Sequence, residues 1–443
     1  MKNKSLLILL VLAATVSIAW QLHPKEGRPV YVTSSSCRQC HQEYYDSWSN
    51  TLHSKMFRPV KNDNDILGDF TSNDPALTFS KDDVEYVVGN RWEQVYVRKI
   101  DNEYYPLPAR WLVKQQKWSP YKVDSWQKIP MSEKCNGCHT TGFEPATYEF
   151  SEFGVGCEAC HGPGSRHVDN NKMISSFTCR LCHWSEIKQQ TDIIRSVSST
   201  VCGQCHNRGK NKPFSDQDEP IFNFPVQYTP GDDLAKSFKA VSPAEDKENK
   251  FWWGNGVAKA RHQEFADWEK SNHSKALTLL KQNHTPKIKP LQDACLECHS
   301  TDYLLAENGH KSTVHTAKYG ITCVACHNPH KMMQDGTSAR TFNEPCITCH
   351  IADNTFCSEQ IDHDHFPCPK EKVECVDCHM PYVVKSGGWY SIRGHAFIIM
   401  SPLESEQAGT PNSCQNGGCH QDRSLQWIQQ EYRKFYKKRS EEN

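Results

Sequence analysis

The sequence predicts a mainly α-helical fold with extensive irregular loop and a small β-meander near residues 84–113. The chain has 443 residues, of which 37% are hydrophobic, whereas a typical soluble domain has about 45–50% when Gly is counted. It also contains 22 Cys and 22 His. The 12 Trp, 16 Tyr and 18 Phe, together with a net charge of -1, argue against a disordered chain. We therefore expect a group other than side chains to supply part of the apolar core.

The cysteines follow one pattern along most of the chain. Twenty of the 22 form ten pairs, and a His comes directly after the second Cys of each pair. Nine pairs have the spacing C-x-x-C-H, and they are Cys37-Cys40-His41, Cys135-Cys138-His139, Cys157-Cys160-His161, Cys179-Cys182-His183, Cys202-Cys205-His206, Cys295-Cys298-His299, Cys323-Cys326-His327, Cys346-Cys349-His350 and Cys375-Cys378-His379.

This spacing has a covalent explanation. Two thiols two residues apart can add to the two vinyl groups of one haem, and the next residue, His, then reaches the iron as the proximal ligand. Zinc ribbons and thioredoxin-like redox sites need no His at that fixed offset. The motifs therefore predict haem c, with the Cys residues as thioether attachments and the His residues as proximal ligands.

The tenth pair is wider, because Cys414 and Cys419 are separated by four residues before His420. Gly417 and Gly418 make this loop flexible enough to bring both thiols to one porphyrin. The prediction is a tenth haem c, and the alternative is a disulfide or free thiols.

Cys357 and Cys368 lie outside these pairs. We expect a disulfide between them, which would suit an oxidising compartment. The alternative is a small metal site that uses His363 and His365.

The amino terminus predicts export. A basic start is followed by an uncharged run from Leu6 to Trp20, which is typical of a signal peptide over residues 1–19. The alternative is an uncleaved membrane anchor over residues 5–24. The protein is then periplasmic, membrane-anchored or extracellular, in agreement with haem attachment outside the cytoplasmic membrane.

Matched segments predict two halves. The segment Tyr45–Lys55 aligns without gaps on Phe265–Lys275, although the second copy has no cysteines directly before it. We expect an N-terminal pentahaem half with a β insertion over residues 35–206, a haem-free linker over 207–260 and a C-terminal pentahaem half over 261–443.

Two further elements follow from local patterns. The β-rich runs on either side of Gly89-Asn90 predict a hairpin, which is part of the meander. At the carboxyl terminus, Leu425, Ile428, Tyr432 and Phe435 recur at helical spacing and predict a packing helix.

The sixth ligands are sought among the twelve His residues outside the motifs. Bis-His ligation gives low reduction potentials, and twelve residues are enough for ten such haems. The candidate distal ligands are His53, His167, His262, His273, His315, His330, His395, His310, His365 and His284; His23 borders the signal segment and ranks last. Met380 is predicted to pack rather than to ligate.

Several short segments resemble the cytochrome c-554/c-prime family of multihaem cytochromes. They are the segment from Trp48 to His53, Cys-His-Thr-Thr-Gly at Cys138, Gly-Cys-Glu-Ala-Cys-His-Gly-Pro-Gly-Ser at Gly156 and Cys-His-Met-Pro at Cys378. The resemblance implies a multihaem cytochrome c architecture with the haems as core, in a larger decahaem relative of that family. It also implies that His53 and His273 are distal ligands. The chain has no C-x-x-C-K motif, which counts against nitrite reductase activity of the pentahaem type.

Three functions compete. The first is an electron-transfer protein that carries electrons along about ten mostly bis-His haems in exported respiratory electron transfer. The second is a multihaem oxidoreductase with one five-coordinate haem that acts on a small nitrogen or sulfur compound, and the third is a subunit of an extracellular cytochrome filament. No catalytic residue is predicted, and an electron-transfer protein is favoured over an enzyme.

The predicted partners are redox proteins or a quinol-linked membrane donor, with a homo-oligomer or filament as the alternative. The chain has 51 Lys+Arg and 52 Asp+Glu, so no overall field attracts nucleic acid.

Overall fold

A computed structural model describes most of the chain, namely residues 29–169, 193–212, 222–283, 291–306, 311–331, 344–350, 373–387 and 389–442. The predicted signal peptide or anchor, the Cys179 motif and the segment with Cys357 and Cys368 lie outside the described residues. In the described part, no helix is both long and apolar enough to cross a membrane.

Most of the described helices are single turns, and several of these carry a Cys motif. The α-helices are Ser34–Arg38, Gln42–Trp48, Met131–Lys134, Asn136–His139, Cys157–His161, Thr200–Gly203, Leu234–Ser237, Glu264–Lys270, Asn272–Asn283, Leu296–His299, Thr301–Leu304, Cys323–Cys326, Glu344–Ile347, Cys375–His379, Pro402–Ala408, Ser413–Asn416 and Leu425–Glu442.

The predicted β-meander is confirmed and is larger than expected. Five antiparallel strands pair in chain order, and they are β1 (Phe57–Pro59), β2 (Tyr86–Val88), β3 (Glu93–Ile100), β4 (Glu103–Leu112) and β5 (Lys117–Pro120). Gly89, with φ 78°, lies in the turn after β2. Asp101 and Asn102, with φ 47° and 71°, form the tight turn after β3, where positive φ matches the strand twist.

The sheet has an apolar core of its own on one face and supports a Cys motif with the other. Val87, Tyr96 and Trp111 belong to the first cluster, and each of these three residues is at most 4% exposed. On the other face, Phe57 and Met131 form a second cluster, against which several aromatic rings and Cys135 pack. The sheet thereby fixes the position of the Cys135 motif.

Three shorter antiparallel pairs complete the strands. Their strands are β6 (Thr140–Thr141) with β7 (Glu152–Phe153), β8 (Gly209–Asn211) with β9 (Phe238–Ala240) and β10 (Val384–Ser386) with β11 (Tyr390–Ile392).

The two copies of the matched segment form the same hydrogen bonds. The Trp48 indole N–H donates to the Val155 carbonyl at 3.0 Å, and the Trp268 indole N–H donates to the Ile321 carbonyl at 2.7 Å. Both copies therefore dock on the residues just before a Cys motif, at Cys157 in the first copy and Cys323 in the second.

The backbone carbonyl of a candidate distal ligand is held at the same place in each copy. The Val155 N–H donates to the His53 carbonyl at 2.9 Å, and the Ile321 N–H donates to the His273 carbonyl at 2.9 Å. The two copies therefore share hydrogen bonds as well as sequence.

The second copy also has a Cys motif, although the sequence alignment gave it none. The Tyr45 N–H donates to the His41 carbonyl at 3.0 Å, and the Phe265 N–H donates to the His206 carbonyl, also at 3.0 Å. The Cys202 motif therefore takes the place before the second helix that the Cys37 motif takes before the first. Residues 207–260 interrupt the chain between them, which is why sequence alignment missed the relation.

The segment 207–260 is mostly irregular, as predicted, but it also buries large side chains. Trp252 is 2% exposed and Phe224 is 1% exposed. The Asp246 carboxylate accepts the backbone N–H groups of Phe251 and Trp252 at 2.7 and 2.8 Å. These contacts hold the backbone of the described part of the segment in place, although it has little regular secondary structure.

The carboxyl-terminal helix is confirmed. It spans Leu425–Glu442, and Ile428 is 2% exposed. The Gln429 amide donates to the Pro402 carbonyl at 3.0 Å, so the helix packs on the short helix Pro402–Ala408.

Candidate haem-binding sites

The Cys motifs are built as one helical turn. Residues i, i+3 and i+4 share a face of a helix, so the two Cys side chains and the His side chain are presented together. In five motifs the His N–H donates to the carbonyl of the first Cys at 2.9–3.1 Å, and these His residues are His41, His139, His206, His327 and His350. The turn thereby holds three groups in the arrangement that one porphyrin needs.

The wider motif keeps the same closing hydrogen bond. The His420 N–H donates to the Cys414 carbonyl at 3.2 Å, although two additional residues lie between them. Gly418 has φ 100°, a conformation that costs Gly little. The extra residues therefore bulge out of the turn and leave its two ends in place.

Five motif His rings each face the ring of another His. The centroid separations are 5.9–6.3 Å, and the pairs are His41–His167, His206–His53, His161–His330, His350–His273 and His327–His395. The second member of each pair is one of the candidate distal ligands predicted from the sequence.

This separation fits a metal ion between the two rings. An imidazole nitrogen binds a transition metal at about 2.0 Å, so two rings on opposite sides of one ion have centroids about 6 Å apart. The rings are too far apart for direct stacking contact and have the spacing of bis-His ligation. The described residues therefore fit haem iron.

His273 has two motif His residues near it. Its ring lies 6.1 Å from that of His350, while burial, His350 and His379 together lower its pKa. The ring spacing favours His350 as its partner in the structure.

The remaining candidates have not been placed in pairs. His262 and His315 are described, and no described motif His ring faces either of them at this spacing. His284, His310 and His365 lie outside the described residues, as do the attachment residues Cys179, Cys182 and His183.

Burial lowers the pKa of six facing His residues and so favours the neutral form that a metal ligand needs; they are His53, His167, His273, His327, His330 and His395. At His206 the Glu264 carboxylate outweighs burial and raises the pKa to about 9. Burial lowers the pKa of His53 and His327 to about 4. It lowers the pKa of His139 to about 4 and that of His262 to about 3. Each of these rings therefore keeps a nitrogen lone pair at neutral pH.

Two motif His residues have a carbonyl at the ring nitrogen that does not face the ligand position. His161 Nδ1 lies 2.8 Å from the Ile194 carbonyl, and His299 Nδ1 lies 3.1 Å from the Ala276 carbonyl. Such a bond fixes the tautomer and orients the ring for the metal. His139 differs, because its Nδ1 is buried without a hydrogen-bond partner.

The motifs contact one another through their thiols. A hydrogen bond with Cys37 lowers the pKa of Cys157 to about 7, and one with Cys202 lowers that of Cys323 to about 7. These two contacts are equivalent in the two copies.

Further contacts join other Cys motifs to these four. A side-chain hydrogen bond with Cys138 raises the pKa of Cys205, and the thiols of Cys346 and Cys375 are close enough to interact. The Ser413 hydroxyl donates to the Cys378 carbonyl at 2.7 Å, which joins the Cys375 and Cys414 motifs. Neighbouring attachment points therefore lie side by side.

Sequence reasoning missed two kinds of supporting residue. The Ser34 hydroxyl accepts the Cys157 N–H at 2.9 Å, and the Ser199 hydroxyl accepts the Cys323 N–H at 3.1 Å. Each Ser lies three residues before a Cys motif, a repeated signal that was available. The approach of Glu264 to His206, at 3.7 Å, had no such signal.

Comparison with known proteins agrees with these sites. The family model for cytochrome c554 and c-prime matches residues 36–81, 110–162 and 258–328. The model for cytochrome c552 matches residues 367–443, and that for a doubled CXXCH motif matches residues 315–355.

Among curated proteins, the chain is similar to multiheme cytochrome MtrA of Shewanella baltica (strain OS185). The two are 26% identical over 145 residues, which is 33% of this chain and 41% of MtrA. The similarity thus spans less than half of that relative.

Among solved structures, the outer cell wall cytochrome OcwA has a TM-score of 0.75 and 29% identity. The match covers 90% of this chain and 86% of OcwA. An undecaheme cytochrome from the S-layer of Carboxydothermus ferrireducens has a TM-score of 0.48 and 20% identity, over 91% of this chain and 60% of that one. The chain is a multihaem c-type cytochrome related to the cytochrome c554 and c-prime family.

Proposed function

We propose that the protein carries electrons along a row of about ten covalently bound haems, most of them with two His ligands. Haem c supplies a reversible one-electron change at iron when bound. The chain attaches each group through two Cys residues, provides the axial His residues and sets the reduction potentials by burial and nearby charge.

The five facing His pairs carry this proposal. They support distal ligands for five haems, with His167 opposite His41, His53 opposite His206 and His330 opposite His161. His395 is opposite His327, and His273 is opposite His350. Six-coordinate bis-His iron offers no open position to a substrate, which favours electron transfer over catalysis at these sites.

The contacts between motifs support a continuous row. They lead from Cys37 to Cys157 and from Cys202 to Cys323. The Cys160 and Cys205 thiols are close enough to interact and join these two pairs, and Cys346 interacts with both Cys326 and Cys375, which leads on to the Cys414 motif. Haems attached to neighbouring thiols would lie close enough to exchange electrons, and the Cys37 and Cys414 sites at the two ends would serve as entry and exit.

The Cys414 site is proposed as a tenth haem site. Its support is the hydrogen bond between the Cys414 carbonyl and the His420 N–H, which the C-x-x-C-H motifs share.

The proposed setting is outside the cytoplasmic membrane. The names of similar proteins mention an outer cell wall and an S-layer, and the partners would be redox proteins or a quinol-linked donor. Two pentahaem halves, 35–206 and 261–443, joined by residues 207–260, remain the proposed division along the sequence, although the Cys202 motif at the end of the first half docks on the second copy of the repeated segment.

Two measurements on the purified protein test this function. The intact mass should contain ten haem additions, and nine would indicate that the Cys414 site is empty. Rapid mixing with a one-electron donor should then reduce every haem. A fraction that stays oxidised while its neighbours are reduced would contradict a continuous row.

A second candidate function is a multihaem oxidoreductase with one five-coordinate haem. The observation in its favour is His139, which no other described His ring faces. An EPR spectrum of the oxidised protein separates the two functions. A high-spin ferric signal that changes on addition of nitrite or hydroxylamine would support the enzyme, and low-spin signals alone would support the electron carrier.

A further inference from the structure

Two neighbouring sites differ in what lies beside the outer nitrogen of the proximal ligand. The Cys135 and Cys202 motifs touch, because the Cys138 thiol contacts the Gln204 carbonyl at 3.9 Å and the Cys205 thiol. Electrons could therefore pass directly between haems at these two sites.

At the Cys202 site, a carboxylate approaches the proximal ligand. Glu264 Oε2 lies 3.7 Å from His206 Nδ1, and the Glu264 side chain is 19% exposed. A carboxylate beside the outer nitrogen of a ligating imidazole makes the ligand more basic. Its negative charge also favours the ferric state, because that state carries one more positive charge.

At the Cys135 site, a cationic cluster lies nearby. Glu93 accepts from both Arg110, at 2.8 Å, and Arg261, at 2.6 Å, so two guanidinium groups share one carboxylate. The Glu93 side chain is 9% exposed and the Arg110 side chain 11% exposed, which limits screening by solvent.

This cluster reaches the motif through Tyr121. The Arg110 guanidinium lies 5.2 Å from the centre of the Tyr121 ring, and Tyr121 and Cys135 pack on the same apolar cluster. Arg261 shares the Glu93 carboxylate with Arg110, so its guanidinium lies beside the one that contacts Tyr121.

Other charges near Cys135 are Glu103, which accepts from the Ser132 hydroxyl, and Lys134, which pairs with Glu133 at 3.3 Å. Summed with the cluster these charges cancel, so the difference between the two sites rests on the proximal ligand. His139 Nδ1 is buried without an acceptor, and its imidazole is therefore a weaker donor than that of His206.

We propose that the haem held by Cys135 and His139 has a higher reduction potential than its neighbour held by Cys202 and His206, so that electrons collect at the Cys135 site. With haem bound at both sites, one electron would pass from the reduced group at the Cys202 site to the oxidised group at the Cys135 site, and no other reactant would be needed. The Cys135 site is then a reservoir beside the row. This inference rests on the proposed electron-transfer function.

The test is a spectroelectrochemical titration of the intact holoprotein and its charge variants. Glu264→Gln should move one transition to higher potential, and Arg261→Gln should move a different transition to lower potential. We expect at least a tenfold change in each equilibrium, which is about 59 mV for one electron. Glu93→Gln should move the same transition as Arg261→Gln in the opposite direction, and it provides a second route if the Arg261 variant fails to fold.

Two matched controls lie on the surface. Glu43 is an exposed carboxylate near the start of the helix Gln42–Trp48 in the first copy, and Arg98 is a half-exposed residue of the same sheet as Arg110. Glu43→Gln and Arg98→Gln should leave all transitions in place.

The order of the transitions decides the proposal. In the unaltered protein, the transition that responds to Arg261 must lie above the one that responds to Glu264. The reverse order, or no movement in a protein that carries ten haems by mass, would overturn the inference and leave the electron-transfer function intact. A low haem count or irreversible reduction would instead count against the proposed function.

Discussion

The two copies of the repeated segment keep one hydrogen-bond frame but differ in what is attached to it. In both, a Trp indole and the carbonyl of a candidate distal ligand hold the backbone just before a Cys motif. The first copy carries the five-stranded sheet after its helix, whereas the second has residues 207–260 before its helix. The comparison teaches that the frame serves to hold ligands, while insertions are tolerated wherever they leave the frame intact.

The largest expected effect comes from removing the ligands that the frame holds. His53→Ala should convert one haem from low to high spin, because the ring opposite His206 is lost, and His273→Ala should do the same at its own site. EPR of the oxidised proteins measures this. An unchanged low-spin spectrum in either variant would refute that ligand assignment and break the equivalence of the copies.

A smaller effect, on the free energy of unfolding, is expected at the two glycines that pass close to the backbone next to the candidate distal ligands. A Cβ at Gly154 would lie 2.6 Å from the Ser54 carbonyl oxygen, and a Cβ at Gly320 would lie 2.6 Å from that of Ser274. Overpacking of this kind costs about 1–3 kcal/mol. Gly154 also has φ 75°, which adds about 1–2 kcal/mol for an L residue.

Gly154→Ala should therefore destabilise the protein more than Gly320→Ala does. Guanidinium unfolding followed by circular dichroism gives both values. Equal losses of stability would show that the backbone strain in the first copy is relieved elsewhere. Gly409→Ala tests positive φ alone, since nothing lies within 4 Å of its Cβ position.

The next effect in size is expected on removing the Thr hydroxyl that links two backbone groups of the hydrogen-bond frame in each copy. Thr141 Oγ1 donates to the Gly154 carbonyl and accepts the Gly156 N–H, at 2.9 and 2.7 Å. Thr301 does the same with Gly320 and Thr322, at 2.9 and 2.8 Å.

Val has nearly the same shape as Thr but leaves a buried N–H without an acceptor, which costs about 1–3 kcal/mol. Thr141→Val and Thr301→Val should lower the free energy of unfolding by similar amounts. A loss in only one copy would show that the other has an alternative acceptor. The exposed Thr71→Val serves as a control.

The last effect appears only as pH changes and concerns a position at which the copies differ. Asp267 of the second copy aligns with Ser47 of the first, and burial raises the pKa of Asp267 to about 7 from an ordinary 3.8. The folded protein then binds the proton more tightly than the unfolded chain, so this contribution to stability is full below about pH 4 and lost as pH rises toward 7.

Asp267→Asn should flatten that part of the stability profile, because the amide oxygen can still accept the Ala258 N–H. Unfolding midpoints between pH 4 and 8 measure it. Asp46→Asn, on the exposed face of the first copy, should leave the profile as it is; a persistent slope in the Asp267 variant would assign the pH dependence to another group.

Local features of the fold were predictable from the sequence, and long-range pairings were not. The hairpin at Gly89 and the helix from Leu425 depend on neighbouring residues, as do the Cys motifs. His330 faces His161 across a large sequence separation, and no local pattern encodes that contact. The Cys202 motif was not recognised as part of the second copy, because residues 207–260 separate it from the helix on which it docks.

The facing rings have a consequence for how the molecule is made. His161 belongs to the first copy, but its partner His330 lies after the Cys323 motif of the second, and His327 receives its partner His395 from later still. As the chain emerges in order from the amino terminus, the His161 and His327 sites must wait for a residue synthesised much later. A fragment that ends at residue 206 would contain the first motifs yet lack the ring that faces His161, so synthesis of the chain must proceed well into the second copy before this pair can form.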